Sequence, residues 1–404
     1  MYEHMNVPDR TKNFKRWISD AFQGFKSIDF TVLGTTEDGD GYVGDVTFLV
    51  VTADGNRFDI ALKHGKQSPS LREVMPLRLC YEREIFVYGK VLPVFQKLEQ
   101  EHDVSLVGEL LPECFKTLLN ENDEVLMLQN LRAQGYKIHD KYRPLDCDHF
   151  KVTFKGYGQW HALSLALRKN QSEAFSKLFS NMECVHRKFL GRIKSCVTLA
   201  ENLLYKILSS KGDTEIVLRL QRHFPQGYNQ KLFEVYEAQD TEKYVVFHHG
   251  ESWNNNFMFK YEENKPTAVK FLDFQCSRLN SPVLDLTYHL YVNGSEEEFN
   301  HTKEFLQIYY SSLSSTLESL GCDARELLPY EELVKQWKKY SIYGIQKTSM
   351  ILPAILTAKE DTFDIGSFNE GFEEKIEEIV RKNYSRLFPR LTAAVKHFLN
   401  FNDF

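Results

Sequence analysis

The chain has 404 residues, 42% hydrophobic and 26% charged, with 50 basic against 56 acidic side chains and a net charge of −6. That balance excludes disordered, collagen-like and coiled-coil chains, and the lack of a basic excess removes the footprint expected of a nucleic-acid or anionic-membrane binder. At about 150 residues per folding unit the length corresponds to roughly two to three units.

The longest apolar stretches, 46–53 and 350–358, fall short of the roughly 18 residues that a spanning helix needs, so no membrane insertion is expected. The start, Met-Tyr-Glu-His-Met-Asn, has no apolar segment and carries an acidic residue, unlike a secretory or transit signal. A cytoplasmic protein is expected. Seven cysteines (Cys80, Cys114, Cys147, Cys184, Cys196, Cys276, Cys322) are scattered and never spaced as Cys-x-x-Cys, which suggests neither a disulfide framework nor a zinc site. The sequons at Asn170, Asn293, Asn300 and Asn383 would matter only in a secreted chain.

Neither repeats nor a Pro/Gly/Ser-rich linker divide the sequence, and the change of period falls near residue 130. Before it, 45–52 and 57–63 are apolar and β-branched runs joined by Ala53-Asp54-Gly55-Asn56, an antiparallel hairpin with an Asp-Gly turn. A helix is expected over 77–92, with Ile85, Tyr88, Val91, Leu92 and Phe95 at helical spacing and Pro93 marking a break or kink. The run 124–128 reads as a buried strand leading into Arg132-Ala133-Gln134-Gly135, a connector between two lobes. Beyond it helices dominate, clearest at Phe305, Tyr309, Leu313, Leu317 and Leu320 with Gly321 as the stop. A β island interrupts them at 244–247, 257–261 and 268–272, the last two separated by a polar turn over 262–267.

Three groups of residues carry chemistry. Gly39, Gly41 and Gly44, followed by Val46, fit the glycine loop G-x-G-x-x-G-x-V, which lets backbone approach nucleotide phosphates. Taken alone, an ordinary turn explains those glycines equally well. Seventeen residues after Val46, Ile60-Ala61-Leu62-Lys63 matches the V-A-I-K strand whose lysine pairs the phosphates, and Glu84 on the next helix is its candidate partner. Either residue singly reads as a solvated charge, whereas their order and spacing favour the pair.

The third group is His249-Gly250-Glu251-Ser252-Trp253-Asn254-Asn255-Asn256. Here His249, Glu251 and Asn256 fall at the offsets of the histidine, catalytic acid and metal-binding asparagine of a kinase catalytic loop. Asp273, ending the strand-like run before Phe274-Gln275, takes the place of the second metal ligand, and a hard cation such as Mg2+ needs oxygen donors of this kind. His249 also reads as a buried residue that orients the loop. His248 and His249 make a poor metal pair, because neighbours along a strand point to opposite faces.

The run from His249 to Asp285, with Trp253, Asn255-Asn256, Asp273-Phe274-Gln275, Arg278, Ser281-Pro282 and Asp285-Leu286, resembles the ecdysteroid kinase-like (CHK kinase-like) family. The likeness extends through Gly39 to Tyr42, Lys63, Glu84, Tyr88, Val91-Leu92-Pro93, Leu131 to Lys137 and Trp160 to Ser164, and so covers almost the whole chain. The family is similar to choline kinases and aminoglycoside phosphotransferases. The resemblance implies an α+β, protein-kinase-like fold with a small β-rich N-lobe (1–128), a connector (129–136) and a larger, mainly helical C-lobe (137–404).

It further implies ATP and Mg2+ as cofactors, with Gly39, Gly41, Gly44, Lys63, Glu84, Gln129 and Leu131 around the nucleotide. Glu251 would be the base, His249 its companion in the loop, and Asn256 and Asp273 the metal ligands. The implied acceptor is a small-molecule hydroxyl, steroid-like by family, and no obligate protein partner is evident. No Ala-Pro-Glu segment follows Asp273, unlike a protein kinase.

Two departures stand out. Glu251 replaces the family's aspartate, and Gln129-Asn130-Leu131 stands where Glu-Asp-Leu is commoner. The first admits a rival reading, a pseudokinase that binds nucleotide and regulates a partner; a third is a pocket that only sequesters a steroid.

Overall fold

The β-hairpin expected at 45–63 forms the centre of a five-stranded antiparallel sheet. Strands β1 (Ile28–Thr35), β2 (Gly44–Ala53), β3 (Asn56–Gly65), β4 (Cys114–Asn120) and β5 (Asp123–Gln129) lie in the order β1-β2-β3-β5-β4. Asp54 and Gly55 turn the hairpin at φ 48° and 82°, the left-handed pair that a two-residue turn requires. The computed structural model describes residues 7–36, 44–180, 182, 185–210, 214–237, 243–358 and 372–402.

The two-residue period of β3 divides its side chains between two environments. Ile60 and Leu62 join Leu49, Val51, Val125 and Met127 under Phe14, Trp17 and Ile18 of a helix, Val7–Ala21, and Phe22 just after it. Ala61 and Lys63 point the other way, into a cleft. The Trp17 indole N–H donates to Asp123 at 2.8 Å and fixes that helix to the start of β5. This helix, β1 and β4 have no counterpart in the sequence reading. Both strands are at sheet edges, β1 is mostly exposed and β4 only half-buried, so neither needs strict alternation of apolar residues.

On the cleft side of the sheet lies the helix Leu77–Phe86, which continues through a π-helical turn, Val87–Val91, into Leu92–Glu101. Of the break or kink expected at Pro93, the break does not occur, and the irregularity takes the form of the π-helical turn. The Pro93 ring removes the N–H that would reach back to Gly89, and the turn before it widens so that Leu92 N–H donates to Val87 O.

The helical lobe is organised around Cys147–Asn170, capped by the Asp146 carboxylate on the N–H groups of Asp148 and His149. It packs on Thr302–Ser319, the helix expected from the 305–320 periodicity, and Gly321 follows at φ 70°. Strand β6 (Val246–His248) pairs with β9 (Arg278–Asn280), and β7 (Phe257–Glu262) with β8 (Lys265–Phe271). The latter turn is tighter than the polar run suggested. Glu263 and Asn264 both take positive φ, so β8 begins at Lys265. Strand β9 has three residues, too few to carry a period.

Beyond the sheet pairs, Val283–Asn293 is buried along its length against Ile342–Leu356, and Phe372–Asn402 packs on the latter's other side. Among the described residues, no helix is long and apolar enough to cross a membrane. The architecture is α+β: a small antiparallel sheet with its helices, joined by the 3-10 turn Leu131–Gln134 to a larger, mostly helical lobe.

Candidate active site

Lys63 is the residue at which the two lobes meet. Its Nζ donates to Glu84 Oε2 at 2.6 Å and to Asp273 Oδ1 at 2.9 Å. Burial alone would lower the Lys63 ammonium, but the carboxylates of Asp273 and Glu84 more than offset it and hold it above the ordinary lysine range. Glu84 is pushed upward by burial and pulled back by Lys63. Asp273 is held from its other side by Gln275 Nε2 at 3.1 Å, with a backbone φ of 67°. Phe274 turns inward against Trp160, His249 and the Tyr88 ring, wedging this segment between the lobes.

The loop after β6 is held from below by one carboxylate. Asp285 Oδ2 accepts from the His249 N–H at 2.6 Å and from His161 Nε2 at 3.2 Å, while Oδ1 accepts from Gly250 N–H at 2.9 Å and from the Ser252 hydroxyl at 3.1 Å. Burial works against the Asp285 charge, but the surrounding imidazoles of His248 and His161 hold its carboxyl below the usual range. Gly250 has φ 94°, and a Cβ there would lie 2.5 Å from the Cys276 carbonyl oxygen, so both conformation and space demand glycine.

His249 is wholly buried beneath this loop. Its Nε2 donates to Leu272 O at 2.7 Å and its Nδ1 accepts from Glu251 N–H at 3.3 Å. Those two bonds fit the neutral tautomer, and burial lowers the imidazole accordingly. It does not line the cleft itself and meets it only through the loop and the end of β8. Asn256 donates from Nδ2 to the Glu251 carbonyl at 2.9 Å, which fixes the amide plane and leaves Oδ1 as an acceptor on the cleft side. Glu251 itself accepts from the Tyr288 hydroxyl at 3.0 Å and lies 3.8 Å from Lys347 Nζ.

These groups border one cavity of about 710 Å3. Lys63, Glu84, Leu131, Glu251, Asn256, Asp273 and Gly44 all line it. Gly39 and Gly41 lie outside the described residues. Gln129 does not reach the cavity. Leu126 and Leu128 take the inward face of β5, so the strand's alternation turns Gln129 outward with Val125 and Met127, and its backbone N–H is bonded to Glu113 O. Asn130 and Arg132 line the cavity instead.

Asp285, Tyr288 and Lys347 were given no site role by sequence reasoning. A usable signal existed for two of them. Asp285 is the one Asp, Glu, Lys or Arg in Val283–Asn293, and Lys347 the one in Ile342–Leu356; a lone charge in a buried, apolar helix needs a partner.

A lysine on the third strand of a small sheet, its glutamate partner, a loop carboxylate and an Asn/Asp pair across one cleft define a kinase-like phosphotransferase. The chain belongs to the ecdysteroid kinase-like family, whose model matches residues 38–322. No curated protein sequence matches it. Among solved structures it is similar to the GDP complex of an aminoglycoside 2'-phosphotransferase-IIIa mutant (12% identity, TM-score 0.40, 95% of this chain and 100% of that one covered). Another similar structure is macrolide 2'-phosphotransferase MphH from Brachybacterium faecium (14% identity, TM-score 0.35, 86% and 99% covered).

Proposed function

We propose that this chain is an ATP- and Mg2+-dependent phosphotransferase that moves the γ-phosphate to a hydroxyl of an apolar, steroid-sized acceptor. The observation that carries this reading is the continuity of the cavity. One end holds Lys63, Asn256 and Asp273, and the other is walled by Leu199, Leu203, Met350, Ile351, Ile355 and Ile379, with Glu251 at the border. Such an apolar wall suits a sterol or ecdysteroid far better than a polycationic aminoglycoside. In this reading the division at 129–136 separates a nucleotide-covering lobe from the lobe that holds the acceptor, and the protein works in the cytosol.

The residues fit the cofactor. Asn256 Oδ1 and the Asp273 carboxylate are the hard oxygen donors that magnesium takes, the remaining positions going to phosphate oxygens and water. When bound, magnesium and the triphosphate supply the transferable phosphoryl group and neutralise the charge that develops on it. Lys63, steadied by Glu84, binds phosphate oxygens. Glu251 orients the acceptor hydroxyl and takes its proton, while His249 and Asp285 keep the loop in the geometry that aims the carboxylate.

The glutamate at position 251 favours a second reading, a nucleotide-binding regulatory module without turnover. MgATP binding measured by calorimetry alongside ADP formation separates the two. ADP formation by the unmodified chain and by Glu251→Asp, lost in Glu251→Gln, supports the enzyme; saturable binding with no ADP formation by any of the three supports the module.

A further inference from the structure

Glu251 carries one methylene more than the aspartate expected at its place, a reach of about 1.5 Å. The surroundings of its carboxylate are built for that longer arm. Tyr288, from the helix Val283–Asn293, donates its hydroxyl to Oε2 at 3.0 Å, and Lys347, from Ile342–Leu356, brings Nζ to 3.8 Å from Oε1. All three side chains are shielded: Glu251 is 15% and Lys347 7% exposed, and Tyr288 is fully buried. The Lys347 ammonium lies over the rings of Tyr288 and Tyr343, 5.1 and 5.4 Å from their centroids. Burial, with Glu251 adding to it, keeps the Tyr288 hydroxyl protonated and therefore a donor. Lys347 also lies beyond the segment matched by the family model, in the helix that walls the apolar end of the cavity.

We infer that Tyr288 and Lys347 are positioning residues that hold the Glu251 carboxylate at the border between nucleotide and acceptor, so that glutamate can stand where aspartate is usual. The inference rests on Glu251 being the base. The Tyr288 hydroxyl, as a hydrogen-bond donor, and the Lys347 ammonium, as a nearby counter-charge, restrain from two helices a side chain that would otherwise have three rotatable bonds. An aspartate at 251 would fall short of the Tyr288 hydroxyl and lie farther from the Lys347 charge, and so be placed chiefly by the loop. A displacement of about 1 Å at a reacting group costs on the order of a hundredfold in rate, which sets the size of the effect.

The test is a double-mutant cycle on ADP formation from MgATP, with water as acceptor, in the full chain. Lys347→Met lowers kcat about 10- to 100-fold with the KM for ATP unchanged, and Lys347→Arg recovers much of the loss. In the Glu251→Asp background Lys347→Met changes kcat less than about threefold, because the shorter carboxylate no longer depends on it. Tyr288→Phe, which removes only the hydroxyl, shows the same dependence on Glu251 and serves should Lys347→Met fail to fold. Equal losses in both backgrounds, or a loss confined to the KM for ATP, overturn the positioning role while leaving the base intact. Undiminished ADP formation by Glu251→Gln, or none by the unmodified chain, overturns the base and the inference together.

Discussion

Lys63 and Asp273 stand 210 positions apart in sequence and meet at 2.9 Å, so the sheet and the helical lobe share a partly buried ion pair at the cleft. Asp273 reaches it in a left-handed backbone conformation, φ 67°. For a non-glycine residue that costs on the order of 1–3 kcal/mol and persists where the surroundings over-determine it. Here Lys63 and Gln275 hold the carboxylate while Phe274 anchors the next residue.

Removing either partner separates two roles. Lys63→Met leaves the Glu84 carboxylate, 2% exposed, without its counter-charge, which destabilises the fold by about 3 kcal/mol and weakens ATP binding. Asp273→Ala abolishes magnesium dependence of ATP binding while leaving the Lys63–Glu84 pair. Urea denaturation and calorimetry with and without Mg2+ read the two effects; magnesium-dependent binding retained by Asp273→Ala contradicts the assigned ligand.

Asp285 never lines the cleft, yet it organises the residues that do. Asp285→Asn keeps the volume but replaces one acceptor oxygen by a donor, which, whichever way the amide turns, faces the N–H of either His249 or Gly250. Stability falls by about 2–4 kcal/mol and ADP formation falls with it. A variant with unchanged thermal midpoint and turnover would show that the loop holds its geometry without this carboxylate.

Gly250→Ala places a Cβ 2.5 Å from the Cys276 carbonyl at φ 94°. The cost is about 2–4 kcal/mol from strain and close approach combined. The expected outcome is a lower midpoint with turnover lost and MgATP binding largely kept, because Lys63 and Asp273 lie outside the loop. A turnover within twofold of the unmodified chain would contradict the tight packing of this loop.

Acid sensitivity follows from the buried imidazoles. Burial lowers His248 and His289 to about 3 and His397 to about 4, and lowers His249 and His161 as well. With folded values below the ordinary 6.5, the unfolded chain takes up protons first on acidification. The stabilisation is therefore fully present above about pH 6.5 and is lost as pH falls toward 3–4, by up to about 1.4 kcal/mol per pH unit for each group. Urea midpoints should drop steadily from pH 7 to pH 5. A midpoint flat over that range would contradict neutral burial of these residues.

Much of the site was legible because its chemistry sits in short runs of fixed spacing. Lys63 is read from the strand it ends, and His249, Glu251 and Asn256 from offsets within one loop. Asp285 and Lys347 were marked only as lone charges in apolar helices, and what they face is set when those helices pack beneath and beside that loop. Gln129 was placed near the nucleotide by the family resemblance, whereas the period of β5 sends its side chain the other way. The edge strand β1 alternates only over 28–32 and is mostly exposed, and half-buried β4 has no clear period, whereas β2 and β3, with one face under a helix and one in the cleft, are apolar runs joined by a turn.

The most direct test of the central claim is transfer of phosphate from MgATP to a panel of sterols, ecdysteroids, choline and aminoglycosides by the purified chain, read by mass spectrometry of the acceptor. Glu251→Gln serves as control. The geometry predicts a phosphorylated hydroxyl on an apolar, steroid-sized acceptor, absent with Glu251→Gln and absent for aminoglycosides. Phosphorylation of aminoglycosides or choline alone, or transfer undiminished in Glu251→Gln, would contradict it.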